Sequence, residues 1–186
     1  LPLRDISAIA VAVVSLFTIR RKNVHLDLVA PAIGFIGLIA AAIHATDGAS
    51  NITVNLLRVL VGTVFLGAVS DAMLLGHWYL VQPGLPRSIL NELVTALRWV
   101  LPVEVAVMLL PTGMFSVLSG AVDDGWNGTL GWFWVACAIT TAVLIEVTRA
   151  ALRERSYSAV MAATGLLYLA ILTAFGTDLV SRAILA

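Results

Sequence analysis

The chain has 186 residues, of which 60% are hydrophobic and 12% are charged, whereas soluble domains have roughly 45–50% apolar and ~25% charged residues. The 11 basic and 11 acidic residues balance, so there is no basic surface for nucleic acid. This composition excludes a water-soluble enzyme, a disordered chain and a nucleic-acid-binding module. Because Cys137 is the one cysteine, an internal disulfide framework and a cysteine-cluster metal site are excluded as well.

Six apolar segments in chain order are candidates for helices that cross the ~30 Å hydrocarbon core of a bilayer. They cover residues 5–20, 26–45, 54–81, 88–111, 130–150 and 157–180. Their apolar runs are continuous rather than alternating, which favours helices over β-barrel strands. We predict an all-α, polytopic membrane bundle of about six transmembrane helices in a single domain, residues 1–186. The first segment is short and starts without an initiator methionine, which leaves open whether N-terminal residues are missing.

The basic residues predict the orientation of these segments. Seven of the 11 lie at or just after the ends of the first, third and fifth segments, which is one side of a six-span protein: Arg20, Arg21, Lys22, Arg87, Arg149, Arg153 and Arg155. The positive-inside rule places that side in the cytoplasm, so both termini are predicted on the non-cytoplasmic side, in what we expect to be a bacterial plasma membrane. Trp126, Trp132 and Trp134, where the fifth segment begins, are typical of an interfacial aromatic belt.

The third and fourth segments carry most of the ionisable residues that fall within spans: Arg58, Asp71, His77, Glu92, Arg98 and Glu104. A Pro- and Gly-containing turn, residues 82–87, joins the two segments into a hairpin. Residues equidistant from that turn lie at similar depth, so the sequence predicts an Asp71–Arg98 ion pair and a His77–Glu92 hydrogen bond, since a buried charge needs a partner. The pairs either lock the hairpin together, or one of the two pairs faces a cavity or a third helix.

Glu104 has no such partner, because its mirror position is Phe65. It follows Pro102, which removes a helix hydrogen bond to the carbonyl of Arg98 and tends to kink the helix. A carboxylate beside an exposed carbonyl can form a proton or cation site. The alternative is that Glu104 lies near the outer surface and is solvated.

The histidines raise the question of a cofactor, since haem b in a membrane bundle takes axial histidines at matching depth. His25 and His77 are the pair closest in predicted depth. The other interpretations are a single-histidine haem at His77, a quinone headgroup held by His77 with Trp78 and Tyr79 stacking beside it, or an ordinary interhelical hydrogen bond. The sequence does not identify a metal.

Three function classes fit these features, and no catalytic motif accompanies them, so an enzyme is not the favoured interpretation. The first is an integral membrane subunit of an energy-transducing redox complex, which lends a haem or quinone site near His77 and binds other membrane subunits. The second is a small proton- or ion-coupled transporter or channel that uses Glu104 and the Asp71/Arg98 pair. The third is a structural or assembly protein.

Overall fold

The computed structural model describes residues 3–20, 24–44, 51–82, 84–111 and 113–185. It is 86% helix, and these residues contain no β-strand, which confirms the all-α prediction. The described helices follow one another as α1 (Leu3–Thr18), α2 (Val24–Asp27), α3 (Val29–His44), α4 (Ile52–Val81), α5 (Ser88–Leu109), α6 (Gly113–Leu118), α7 (Thr129–Arg153) and α8 (Tyr157–Leu185).

Four helical segments within the described ranges are long and apolar enough to cross a membrane: His25–His44, which joins α2 and α3, and the whole of α4, α7 and α8. These four segments fit a membrane protein. Helix α1 has 16 residues, or about 24 Å at 1.5 Å per residue. Helix α5 has 22 residues and reaches about 33 Å, but it carries three ionisable side chains, Glu92, Arg98 and Glu104.

The helices pack into two units, whose boundary falls within α4 between Leu60 and Val61. In the first unit α1 packs against α3. Ser7 is the buried residue of α1, and its hydroxyl donates to the carbonyls of Leu3 and Arg4. A Cβ atom on Gly37 would lie 2.9 Å from Ser7 Cβ, so the lack of a side chain at Gly37 permits this close helix contact.

The second unit, from Val61 onward, is a bundle of α5, α7, α8 and the remainder of α4. One core cluster joins side chains of all four helices. Small residues on α8, among them Ala163, Ala170 and Ala174, are fully buried, and small residues allow membrane helices to approach closely. Large side chains of the core come from all four helices, among them Phe65, Leu97, Ile145 and Leu167.

At one end of this bundle, the α4–α5 turn packs against the α7–α8 connection. Leu85 N donates to Gln82 O, so the chain reverses where the sequence predicts it. The Tyr79 hydroxyl donates to Pro86 O, and the Tyr157 hydroxyl donates to Leu80 O over 3.1 Å. The first of these bonds lies within the α4–α5 hairpin. The second, together with the bond that Arg87 Nη1 donates to Glu154 O over 3.3 Å, joins this hairpin to the end where α7 and α8 are connected.

At the other end, Asp124 holds the start of α7. Its carboxylate accepts hydrogen bonds from the backbone amides of Trp126, Gly128 and Leu130 at 2.8–2.9 Å. Desolvation alone would raise the pKa of Asp124, but these amides and that of Gly131 outweigh it, so the pKa lies below its usual range.

The belt predicted around Trp126, Trp132 and Trp134 stays a prediction for the first two residues and is wrong for the third. Trp126 and Trp132 are exposed, whereas Trp134 is buried in a second core cluster with Met108, Met114 and Val117. Short helix α6 supplies two of these side chains and covers Trp134. The expectation was wrong for Trp134 because composition near a boundary does not reveal which face of the helix a residue occupies.

Candidate functional site

Glu104 is the most unusual side chain of the second unit. It lies on α5 with none of its surface exposed, and neither carboxylate oxygen has a hydrogen-bond partner among the residues that the structure describes. The Glu104 side chain is therefore not solvated, whereas its position near the outer surface, five residues before the end of α5, stays a prediction. An unpartnered polar group in such surroundings is costly, so this carboxyl needs an explanation beyond packing.

An ion pair on α8 lies beside Glu104. Arg182 Nε contacts both oxygens of Asp178, at 2.8 and 2.7 Å. The spacing of four residues places the two side chains on one face of the helix. Asp178 is 6% exposed and the Arg182 side chain is 36% exposed, so the ion pair runs from the interior of the bundle toward its surface.

Gly62 on α4 makes the space in which these groups meet. A Cβ atom on Gly62 would lie 2.7 Å from Asp178 Oδ1 and 3.5 Å from Glu104 Oε1, and it would also contact Arg182 Nη2. Three helices thus bring two carboxyl groups and one guanidinium together around a glycine. We call Gly62, Glu104, Asp178 and Arg182 the buried carboxyl cluster.

The charges of this cluster do not balance when both carboxyl groups are ionised. Arg182 is bound to Asp178, so an ionised Glu104 would add a negative charge to a water-poor site. An uncompensated buried charge costs several kcal/mol. The cluster therefore favours a bound proton or cation at Glu104.

The predicted Asp71–Arg98 ion pair is wrong. Arg98 Nε pairs with Glu146 Oε1 on α7 at 2.9 Å, and the other oxygen of Glu146 pairs with Arg149 at 2.7 Å. Asp71 is an exposed residue of α4. The hairpin sets Asp71 and Arg98 at comparable depth, but α5 directs Arg98 toward α7 instead of α4.

The predicted His77–Glu92 hydrogen bond is wrong as well. His77 Nδ1 lies 3.3 Å from the Tyr168 hydroxyl on α8, and the two rings meet edge to face. Glu92 is exposed on α5. The imidazole therefore joins α4 to α8, although His77 itself remains exposed.

The side chains of Trp78 and Tyr79 lie apart from one another. Trp78 is 51% exposed, whereas Tyr79 is 3% exposed and bonds to the α4–α5 turn. Consecutive helix residues point about 100° apart. A cofactor beside His77 could thus meet Trp78, but Tyr79 faces the protein interior.

Two of the site residues that the sequence predicts belong to the first unit. His25 is an exposed residue of α2, and Arg58 is partly buried near the start of α4. The pairing of His25 with His77 stays a prediction. Within the described ranges, no group of three or more His, Cys, Asp or Glu side chains is placed to hold a metal ion.

The sequence reasoning missed Asp178, Arg182, Glu146 and Tyr168. Asp178 and Arg182 fall at the end of the last apolar segment, where charges are expected in the loop. Their spacing of four residues, Asp before Arg, was the signal that could have shown an ion pair on one helix face. For Glu146 and Tyr168 the sequence holds no comparable signal, because each finds its partner on a distant helix.

Comparison of the chain with models of protein families, with curated proteins and with solved structures gives no match.

Proposed function

We propose that this chain is an integral membrane protein that conducts or exchanges protons through its second unit, with Glu104 as the carboxyl group that carries the proton. The supporting observation is that Glu104 is fully buried and its two oxygens lack hydrogen-bond partners within the described residues. Ionisable residues within membrane helices mark ion pathways and proton relays.

Asp178 and Arg182 give Glu104 its role in this proposal. Their ion pair adds no net charge, so Glu104 is the carboxyl whose charge changes when a proton binds or leaves. Pro102, two residues before Glu104, supports a local opening, because proline leaves the Arg98 carbonyl without its helix donor. The proposed path leads from Pro102 past Glu104 toward the end of α8.

The proposal also includes the membrane topology of six spans. Six spans would result if α1 and α5 cross the membrane in addition to the four longer apolar segments. Arg87, Arg149, Arg153 and Arg155 would then lie on the cytoplasmic side, and both termini would lie on the opposite side. The bacterial plasma membrane stays a prediction.

Proton flux into proteoliposomes that contain a pH-sensitive dye tests the role of Glu104. Glu104→Gln keeps the size of the side chain but cannot release a proton, so we expect flux to fall to the level of protein-free liposomes. Glu92→Gln is the matched control, because Glu92 lies on the same helix but is exposed, and it should leave flux unchanged. Undiminished flux in Glu104→Gln would rule out this role.

His77 supports a second candidate, the subunit of an energy-transducing redox complex. Tyr168 fixes one ring nitrogen of His77, as a hydrogen-bond partner commonly does for a ligating histidine. When Tyr168 donates to Nδ1, Nε2 carries the proton and can donate to a quinone; with the opposite tautomer, Nε2 can ligate a haem. The absorbance spectrum of the complex purified in mild detergent tests the haem version, which requires a Soret band that His77→Ala removes.

A further inference from the structure

The helices α5 and α7 carry a charged cluster on the outside of the second unit. Arg98 and Glu146 have side chains that are 49% and 51% exposed, and the Arg149 side chain is 23% exposed. Glu146 binds both arginines. The three side chains together carry one net positive charge.

The charged cluster is exposed although it lies some distance inside the end of a membrane-spanning helix. Helix α7 has 25 residues, or about 37 Å, which exceeds the ~30 Å hydrocarbon core. Glu146 is seven residues from the end of α7 at Arg153, which is about 10 Å along the helix. Arg149 is closer to this end than Glu146, whereas Arg98 is ten residues from the start of α5 at Ser88, which is about 15 Å. The long side chain of Arg98 therefore has to extend along the helix to bring its charged head toward the headgroup layer.

A cavity of about 210 Å³ adjoins the charged cluster. Its lining consists of Arg98 and Glu146 together with the apolar Leu101, Pro102, Ala142 and Ile145. Because α5 and α7 run in opposite directions, residues 101–102 and residues 142–145 both lie beyond the charges, away from the basic end of the bundle. The cavity thus has a polar rim at the headgroup side and apolar walls that extend toward the bilayer centre.

We infer that this groove binds an anionic phospholipid. Its phosphate would contact Arg98 and Arg149, and the first part of one acyl chain would lie between Pro102 and Ala142. The single net positive charge matches one phosphodiester, and basic pockets between membrane helices bind such headgroups. A lipid in the leaflet at the basic end has its headgroup at the membrane surface and its acyl chains toward the bilayer centre. The polar rim and the apolar walls of the cavity follow one another in the same order.

Native mass spectrometry of the protein from nanodiscs with equal amounts of phosphatidylglycerol and phosphatidylcholine tests this inference. We expect the wild-type protein to retain phosphatidylglycerol preferentially. Arg98→Gln should weaken retention by about tenfold or more, the effect of losing one charge-assisted hydrogen bond, while Glu146 keeps Arg149 as its partner. Ala142→Phe should weaken it as well, by filling the cavity without a change of charge.

Arg153→Gln is the matched control, because Arg153 is an exposed arginine at the same end of α7. It should retain phosphatidylglycerol like the wild type. Equal losses in Arg98→Gln and Arg153→Gln would overturn the inference, since only overall charge would then matter. Three other results would overturn the inference too. These are equal retention of both lipids, displacement of phosphatidylglycerol by inorganic phosphate, and a lipid-free dimer that buries Arg98.

Discussion

Gly62→Ala tests the close packing of the buried carboxyl cluster. The added methyl group would lie 2.7 Å from Asp178 Oδ1, and the short aspartate side chain cannot move away without breaking its contacts with Arg182. Overpacking of this kind costs about 1–3 kcal/mol. Alanine in place of glycine within a helix contributes about 0.5–1 kcal/mol of stability, so the expected net loss is about 0–2.5 kcal/mol.

Gly67→Ala is the matched control on the same helix, because a Cβ atom there meets no atom within 4 Å. It should stabilise α4 by about 0.5–1 kcal/mol. Reversible unfolding in mixed micelles, followed by circular dichroism, measures both variants. The difference in unfolding free energy between the two variants cancels the preference of a helix for alanine over glycine. It therefore isolates the cost of overpacking. A Gly62→Ala protein as stable as Gly67→Ala would refute the close packing around Gly62.

Two further changes concern hydrogen bonds at α7. Thr141→Val removes the bond between the hydroxyls of Thr141 and Thr173 and should lower unfolding stability by about 0.5–1.5 kcal/mol; an unchanged or higher stability would contradict this. The pKa of Asp124 is depressed in the folded protein, so its ionised carboxylate stabilises the fold. This stabilisation is complete above the unfolded pKa of about 3.9 and is lost as the pH falls through the lower folded value. The protection factor of the Leu130 amide against hydrogen exchange should therefore fall below about pH 4, less so in Asp124→Asn, whereas Asp123→Asn should behave like the wild type.

The apolar segments predicted the positions of the long helices well, because segment length and hydropathy are local properties of the chain. The turn between α4 and α5 was predictable for the same reason. Helix α6 was not predicted, since a six-residue helix leaves little periodic pattern and its formation depends on packing against Trp134.

The side-chain partners were harder to predict. Distance from a turn sets the depth of Arg98 and His77, but not the direction in which each points around its helix. That direction follows from the apolar faces that α7 and α8 bury, which involve residues far along the chain. Glu104 was identified because Pro102 and the lack of a mirror partner are local signals, whereas Asp178 joined it only through tertiary packing.

The hydroxyl groups along α8 have a mechanical consequence. Thr164, Thr177 and Ser181 are buried, and each donates to a carbonyl of its own helix. These polar groups remain satisfied when α8 rotates or slides, so they do not resist such movement. Between the described parts of α7 and α8, the hydroxyl contact of Thr141 with Thr173 is the side-chain hydrogen bond that would have to break. Against α4, the bonds of Tyr168 with His77 and of Tyr157 with Leu80 O would break as well. A movement of α8 that carries Asp178 and Arg182 away from Glu104 therefore has to break these three hydrogen bonds, whereas the buried hydroxyls of α8 keep theirs.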